Sequence, residues 1–531
     1  MLSKRVILFL AALLFQAQSA FGMSIDKQID KFFTPVSDVF SEFIFYPITI
    51  GGTSVPITIL WLLAAGVVTT FYLRGISLWG FVHSIKLVTA KNPAFSENNN
   101  DEDGEVSPLQ ALITALSGTV GLGSIAGVAI SISIGGPGAV FWIFVGALLG
   151  MTLKFCEAVL AIKYRRFNED GSVSGGPMHY IAHGLTRKNL RWFGQPLALI
   201  FAILTIPAAL GGGNMLQVNQ ATQQVIAVTG AQNSIFYNNA WVCGLLTAIA
   251  VGMIIMGGIK GIAKAAEKLV PLMCFLYLFL ALAVILLNIP ALPSTLFTIL
   301  KEAFNPSAIY GGIAGVIIIG LRRSIQTNEA GAGSAPIAYA ASKTKEPVSQ
   351  GFIALLEPFI TACVCALTAA TIIITNAYKN VPQGLSGVEL TSGAFSSVLS
   401  FSPYILAVVI FLFAFTTIIS WAYYGQKGWT YMFGEGKKRI ITYQLIFLLF
   451  TVVGSSMNLG SIINLTDASM LAMAIPNLIA VYILLPEIKS DLIEYCKKHS
   501  VALKLNKMWF KEELVLVAQT EEINTDNLSN V

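Results

Sequence analysis

Residues 117–124, Ser-Gly-Thr-Val-Gly-Leu-Gly-Ser, place three hydroxyls and three glycines in a stretch without charge, and Gly127 follows three residues later. Glycine is a poor helix former, so this spacing invites a local unwinding of an apolar helix. Freed N–H groups at a half-helix N-terminus attract a carboxylate. Freed carbonyls and hydroxyls are hard oxygen ligands of the kind that suit Na⁺. Together they suit a zwitterion and a cation. The same glycines also suit a small-residue face for tight packing between membrane helices, and their spacing alone leaves the two readings level.

Three other stretches carry groups that could join such a site. Thr416 and Thr417 are adjacent hydroxyls inside the apolar run 402–426, with Trp421 five residues past Thr416. They are either ion ligands or hydroxyls bonded back to their own helix carbonyls, and Trp421 is either a pocket wall or an interfacial belt residue. Residues 211–224 carry Asn214, Gln217, Asn219, Gln220, Gln223 and Gln224. Asn214 and Gln217 lie one turn apart on one face, available either as glue between helices or as a face toward a cavity. Lys154 and Glu157 stand at i, i+3 in a third apolar run, a spacing that predicts a structural ion pair.

The elements that position these residues are membrane helices. Of 531 residues, 55% are hydrophobic and 11% charged, against about 25% charged in soluble domains. Six cysteines and four histidines fit no zinc or disulfide spacing, and no nucleophile elbow, P-loop or HExxH occurs. An enzyme is not expected, nor a nucleic-acid partner. Apolar spans are predicted at 56–73, 110–133, 137–163, 193–226, 239–258, 266–288, 308–340, 350–377, 402–426, 439–457 and 465–486, eleven in all. Lys and Arg crowd alternate connections, at 163–191, 260–268, 343–345, 427–439 and 489–498. The positive-inside rule then puts the C-terminus in the cytoplasm and the mature N-terminus outside. Residues 1–22 read as a signal peptide, with Lys4 and Arg5 before an apolar run and small residues at Ala20 and Gly22.

The expected order is therefore a signal peptide (1–22), a periplasmic amphipathic segment (23–52), an additional transmembrane helix (53–75) and a cytoplasmic segment (76–108). Two five-helix repeats (109–290 and 291–487) and a cytoplasmic tail (488–531) follow. Each repeat opens on a glycine-interrupted span, 110–133, or 308–340 with Gly311, Gly312, Gly315 and Gly320, and an odd number of spans per repeat inverts one relative to the other. Paired interrupted segments in inverted repeats point to a transporter's binding site.

At the level of motifs, SPLQALITALSGTVGLGSIAGVA, GGPGAVFWIFV, KFCEAVLAIKYR, GGPMHYI, KAAEKLVPLM, TNEAGAGSAPIAYAA, TTIISWAYYGQ and MAIPNLIA resemble the alanine or glycine:cation symporter family. The resemblance runs from about Thr53 to Leu485. It implies an all-α polytopic membrane protein with the LeuT-type 5+5 inverted repeat and one additional N-terminal helix. It further implies Na⁺-coupled, sometimes H⁺-coupled, import of alanine or glycine across a bacterial inner membrane. The implied Na⁺ ligands are the carbonyls of Ser117, Val120 and Phe413 with the hydroxyls of Thr416 and Thr417. The implied amino-acid pocket is Thr119, Gly121, Leu122, Gly123 and Ser124, closed by Gln217 and Trp421. The chain departs from the family pattern where Gly121-Leu122-Gly123-Ser124 replaces GTGN, Phe359-Ile360-Thr361-Ala362 replaces FIDT, and Gln426 replaces Glu.

The alternatives are the same scaffold serving another small zwitterion or coupled to protons, and an amino-acid sensor that transports nothing. The short polar tail after Glu487 offers no effector domain, and no filter-like loop or ring of carboxylates supports a channel. Lipid is the expected surround, with no obligatory protein partner.

Overall fold

The computed structural model describes residues 44–50, 53–89, 104–169, 171–304, 312–379 and 387–499, with single positions at 35, 42 and 501. The expected signal peptide, most of the amphipathic segment and nearly all of the tail after 499 lie outside the described residues. A short hairpin of β1 (Pro47–Ile50) and β2 (Thr53–Pro56) leads into α1 (Ile57–Tyr72) and α2 (Ile76–Thr89). The helices α3 (Pro108–Thr119), α4 (Ala126–Gly135) and α5 (Ala139–Lys163) follow. A two-residue pairing of β3 (Arg166–Phe167) with β4 (Val173–Ser174) comes next. Then come α6 (Pro177–Arg187), α7 (Arg191–Leu210), α8 (Leu216–Val228), α9 (Ala240–Ile255), α10 (Gly258–Leu287) and α11 (Leu292–Phe304). The second half holds α12 (Gly312–Asn328), α13 (Ala335–Tyr339), α14 (Pro347–Ala354), α15 (Leu356–Ile374), α16 (Val388–Ser396), α17 (Ser402–Phe433), α18 (Lys437–Ser456) and α19 (Leu459–His499).

The architecture is all-α and multi-span, as the hydropathy requires. Among the described residues seven helical stretches are long and apolar enough to cross a bilayer, or nine if the bent pairs α1–α2 and α3–α4 each count as one crossing. Among the described residues every expected span contains helix. The eleven expected crossings are not all met at full length, because 239–258 is filled by the 16 residues of α9 and 308–340 by the 17 of α12 plus the short α13. Residues 76–89, expected within a connecting segment, form a helix at 74° to α1. Its Gly80 lies against Phe352 of α14.

Both glycine-rich spans are broken. α3 opens with a capping box, in which Ser107 caps the backbone of Gln110 and the Gln110 side chain returns the bond, with Pro108 at the first turn. It ends at Val120, and the chain resumes as α4 at a bend of 55°. α12 stops at Asn328. Glu329 takes a left-handed conformation (φ +53°), then Gly331 and Gly333 do the same at +84° and +85° before α13 begins. Glycine takes that conformation freely and glutamate does not, so the break costs strain at Glu329. A single large apolar core joins α3, α5, α7, α10 and α17 around the breaks. The first repeat's break thus faces α17, where the threonines lie.

Candidate functional site

The two broken helices and α17 meet at one junction. Thr417 Oγ1 donates to the Ser117 carbonyl at 2.9 Å across the end of α3. The Ser117 hydroxyl donates to Thr114 O (2.7 Å) and lies 2.5 Å from the Ser420 hydroxyl, which therefore donates to it. Gly121 is extended (φ −110°, ψ −160°), a conformation open to any residue. What requires glycine there is space, since a Cβ would overlap Thr417 Oγ1 and sit 3.0 Å from Gln217 Oε1.

Gln217 spans the gap to the amide-rich helix. Its Oε1 accepts the Leu122 N–H at 2.9 Å, and its Nε2 donates to Gly212 O at 2.9 Å. Gly212 belongs to a π-helical turn, Gly211–Met215, inserted between α7 and α8. Such turns mark functional sites frequently. This one gives Trp421 its room, because a Cβ at Gly213 would fall inside the indole. Asn214 instead donates to the Phe447 carbonyl, and Asn219 to those of Gly454 and Met457. Those two amides serve as glue between helices.

Trp421 is buried, not interfacial, and its Nε1 donates to Glu329 Oε1 at 3.1 Å. The other oxygen of Glu329 accepts the Ser334 hydroxyl, so the carboxylate clamps the two sides of its own break. A cavity between the breaks is lined by Thr119, Gly121, Gly123 and Gln217, with Gln326, Glu329 and Thr466 joining them. Its free space is about that of one water molecule. Passage of anything larger requires the elements around it to part.

The remaining expected residues are distributed around this junction. Thr416 Oγ1 bonds back to Leu412 O (3.0 Å) and Phe413 O (3.2 Å) and approaches Met273 Sδ (3.4 Å), so the two threonine hydroxyls diverge. Val120 is the residue that ends α3, and Leu122 packs its side chain into the core. Ser124 does not line the cavity; its carbonyl accepts Thr368 Oγ1 at 2.9 Å and its side chain lies against Cys365.

One expected pairing is corrected. Lys154 does not pair with Glu157 but with Glu357 of α15, at 2.8 Å with both side chains fully buried. Glu157 accepts the Asn477 amide at 2.6 Å, and the same nitrogen reaches Gly331 O at 2.8 Å. Neighbours at i, i+3 on a helix can touch, but in lipid-depth packing a facing helix offers better geometry. Sequence reasoning also missed Glu329, Gln326 and Ser420. A carboxylate in an otherwise apolar, glycine-rich run at bilayer depth was the available signal for Glu329.

Residues 45–508 match the family model described as "Sodium:alanine symporter family". The chain belongs to that family. Within the sodium:alanine symporter family it is 38% identical to an uncharacterized transporter of Haemophilus influenzae, over 80% of this chain and 91% of the relative. It is 36% identical to the sodium/alanine symporter AgcS of Methanococcus maripaludis, over 81% and 92%. It is 34% identical to the probable sodium/glutamine symporter GlnT of Bacillus subtilis, over 83% and 88%. Among solved structures it is similar to MhsT in complex with L-phenylalanine, at 14% identity and a TM-score of 0.48 over 73% of this chain and 99% of that one. A Na⁺-coupled sialic acid symporter is similar at 14% identity and a TM-score of 0.47, over 75% and 82%. As a family member the chain is a multi-pass, Na⁺-coupled amino-acid symporter and not an enzyme.

Proposed function

We propose that this symporter imports a small neutral amino acid with Na⁺ across the plasma membrane by alternating access around the two helix breaks. The observation that carries this reading is the junction of Thr417 with the Ser117 carbonyl, one turn from the Glu329–Trp421 contact. It sets hard oxygen groups at the first break, while the buried carboxylate of Glu329 lines the cavity beside it with Thr119, Gly121 and Gly123. In this reading Na⁺ takes the carbonyls of Ser117, Val120 and Phe413 and the Thr417 hydroxyl, and Thr416 joins them once its hydroxyl turns from Leu412 O. The substrate carboxylate lies along Thr119 to Gly123, its ammonium faces Glu329, and Gln217 and Trp421 hold the walls. AgcS is named for alanine and GlnT for glutamine, which supports a neutral amino acid as cargo.

Counterflow in proteoliposomes tests it, using labelled neutral amino acids with and without Na⁺. Na⁺-independent exchange, or none with any neutral amino acid, would overturn the reading. Thr417→Val keeps volume and removes one oxygen ligand. It is expected to raise the Na⁺ concentration for half-maximal uptake about tenfold or more, in line with a lost bond to a charged partner of roughly 1.5–3 kcal/mol. An unchanged Na⁺ dependence would remove Thr417 from the ion site.

The division into two inverted repeats with the mature N-terminus outside is part of the same proposal, supported by the alternation of Lys and Arg between loops. In a background without native cysteines, a cysteine introduced in the uncharged loop 228–239 should react with a membrane-impermeant thiol reagent on intact cells. One introduced beside Arg187 should stay unlabelled. The opposite pattern reverses the orientation.

A further inference from the structure

Two polar side chains on the cavity wall have nothing to bond to among the described residues. Gln326, on α12 and 6% exposed, has no partner at Oε1 or Nε2, and the fully buried Thr466 of α19 has none at Oγ1. The other polar groups on that wall are engaged: Gln217 at both ends, Glu329 at both oxygens, and Thr119 through its own helix carbonyls. Leaving a buried polar group unpaired is costly. A carboxamide offers two donors and an acceptor oxygen, and a threonine hydroxyl both roles. The free hydrogen-bonding capacity of the cavity is therefore concentrated where two different helices face it.

We infer that Gln326 and Thr466 form a polar subsite for the substrate's side chain, and that the preferred cargo is a neutral amino acid bearing a side-chain hydroxyl or carboxamide. This rests on the transport reading above, in which the first break takes the carboxylate and Glu329 the ammonium. Gln326, in the last turn of α12, lines the same cavity as Glu329, which follows just past the helix end. It is thus near the ammonium end and free for what the main-chain groups do not use. A methyl side chain would leave Gln326 and Thr466 unpaired, whereas a hydroxyl or carboxamide can donate and accept at once. A site built to hydrogen-bond a substrate group discriminates strongly against the analogue lacking it. An acidic side chain is disfavoured by the neighbouring carboxylate of Glu329.

The test is Na⁺-driven uptake of labelled alanine, serine, threonine and glutamine by the full chain in proteoliposomes, read as kcat/KM relative to alanine. The parent protein should favour at least one of the three polar substrates by about tenfold or more. Gln326→Met keeps length and removes the amide. It should cut that preference about tenfold, read against alanine in the same variant, the size expected for hydrogen bonds lost to a buried partner. Thr466→Val should move the ratio in the same direction. If Gln326→Met loses alanine uptake as well, the Thr466→Val ratio decides. A parent that prefers alanine, or a ratio unchanged in both variants, overturns the subsite and leaves these side chains bonded to a resident water. A parent that takes up no amino acid overturns the transport reading, and the subsite with it.

Discussion

Glu357→Ala is expected to cost the protein about 3–5 kcal/mol of stability, the penalty for leaving one partner of a buried ion pair alone. Lys154 and Glu357 are 2.8 Å apart and both fully buried. The second oxygen of Glu357 accepts the Tyr339 hydroxyl at 2.6 Å. With the carboxylate gone, the buried ammonium loses its direct partner, and Glu157 and Glu329 remain as more distant carboxylates. The pair ties α5 to α15, and Tyr339 adds α13, so the loss falls on the packing around the second break. Lys154→Met should cost less, because Glu357 keeps its bond with Tyr339. The double variant Lys154→Met/Glu357→Leu should recover most of the loss, since both desolvation costs vanish together. Thermal denaturation in detergent, followed by size-exclusion chromatography, measures all three. A double variant as unstable as Glu357→Ala would show that the charge pair is not the source.

Gly121→Ala is expected to abolish transport in a protein that still folds. The backbone there accepts alanine without strain, so the effect is steric and local. The new methyl overlaps Thr417 Oγ1 and crowds Gln217 Oε1. Either Thr417 turns from the Ser117 carbonyl or Gln217 releases the Leu122 N–H, and both bonds brace the first break. Uptake should fall by about a hundredfold or more, the scale at which small displacements of positioned groups cost function. Melting temperature should change little beside that. Wild-type uptake in this variant would mean that the break adjusts freely and that Thr417 is not held by it.

Much of this arrangement was legible in the chain. Glycines at 118, 121, 123 and 127 located one break. In the other span Gly315 and Gly320 lie within the continuous α12, and the break comes later, at Glu329 to Gly333. Hydropathy located the helices, but α10, α17 and α19 overrun their apolar spans by 8, 7 and 13 residues at one end. What was not legible is pairing at long range. The partner of Lys154 is 203 residues away, and nothing in local spacing distinguishes it from Glu157. Glu329 was visible as a charge, but its bond to Trp421 depends on how α12 and α17 pack. The π-helical turn at 211–215 was hidden because three glycines report freedom, not the direction in which it is used. The different directions of the Thr416 and Thr417 hydroxyls follow from the 100° step between neighbours on a helix and from which helix each then meets.

The last helix, α19, has a mechanical consequence. Near one end Asp467 holds Arg322 of α12 at 2.6 Å. Near the other Asp491 and Glu487 hold Lys163 at 2.6 and 2.8 Å. At about 1.5 Å per residue the two anchors are about 36 Å apart, more than the hydrocarbon thickness of about 30 Å. Between them Pro476 removes one backbone bond from the helix, and at that weakened turn Asn477 is pinned to Gly331 and Glu157. A helix tethered at both ends and pinned beside the second break at a weakened turn connects both anchors to that break, so any rearrangement at Gly331 meets α19 where its backbone bonding is less able to resist bending.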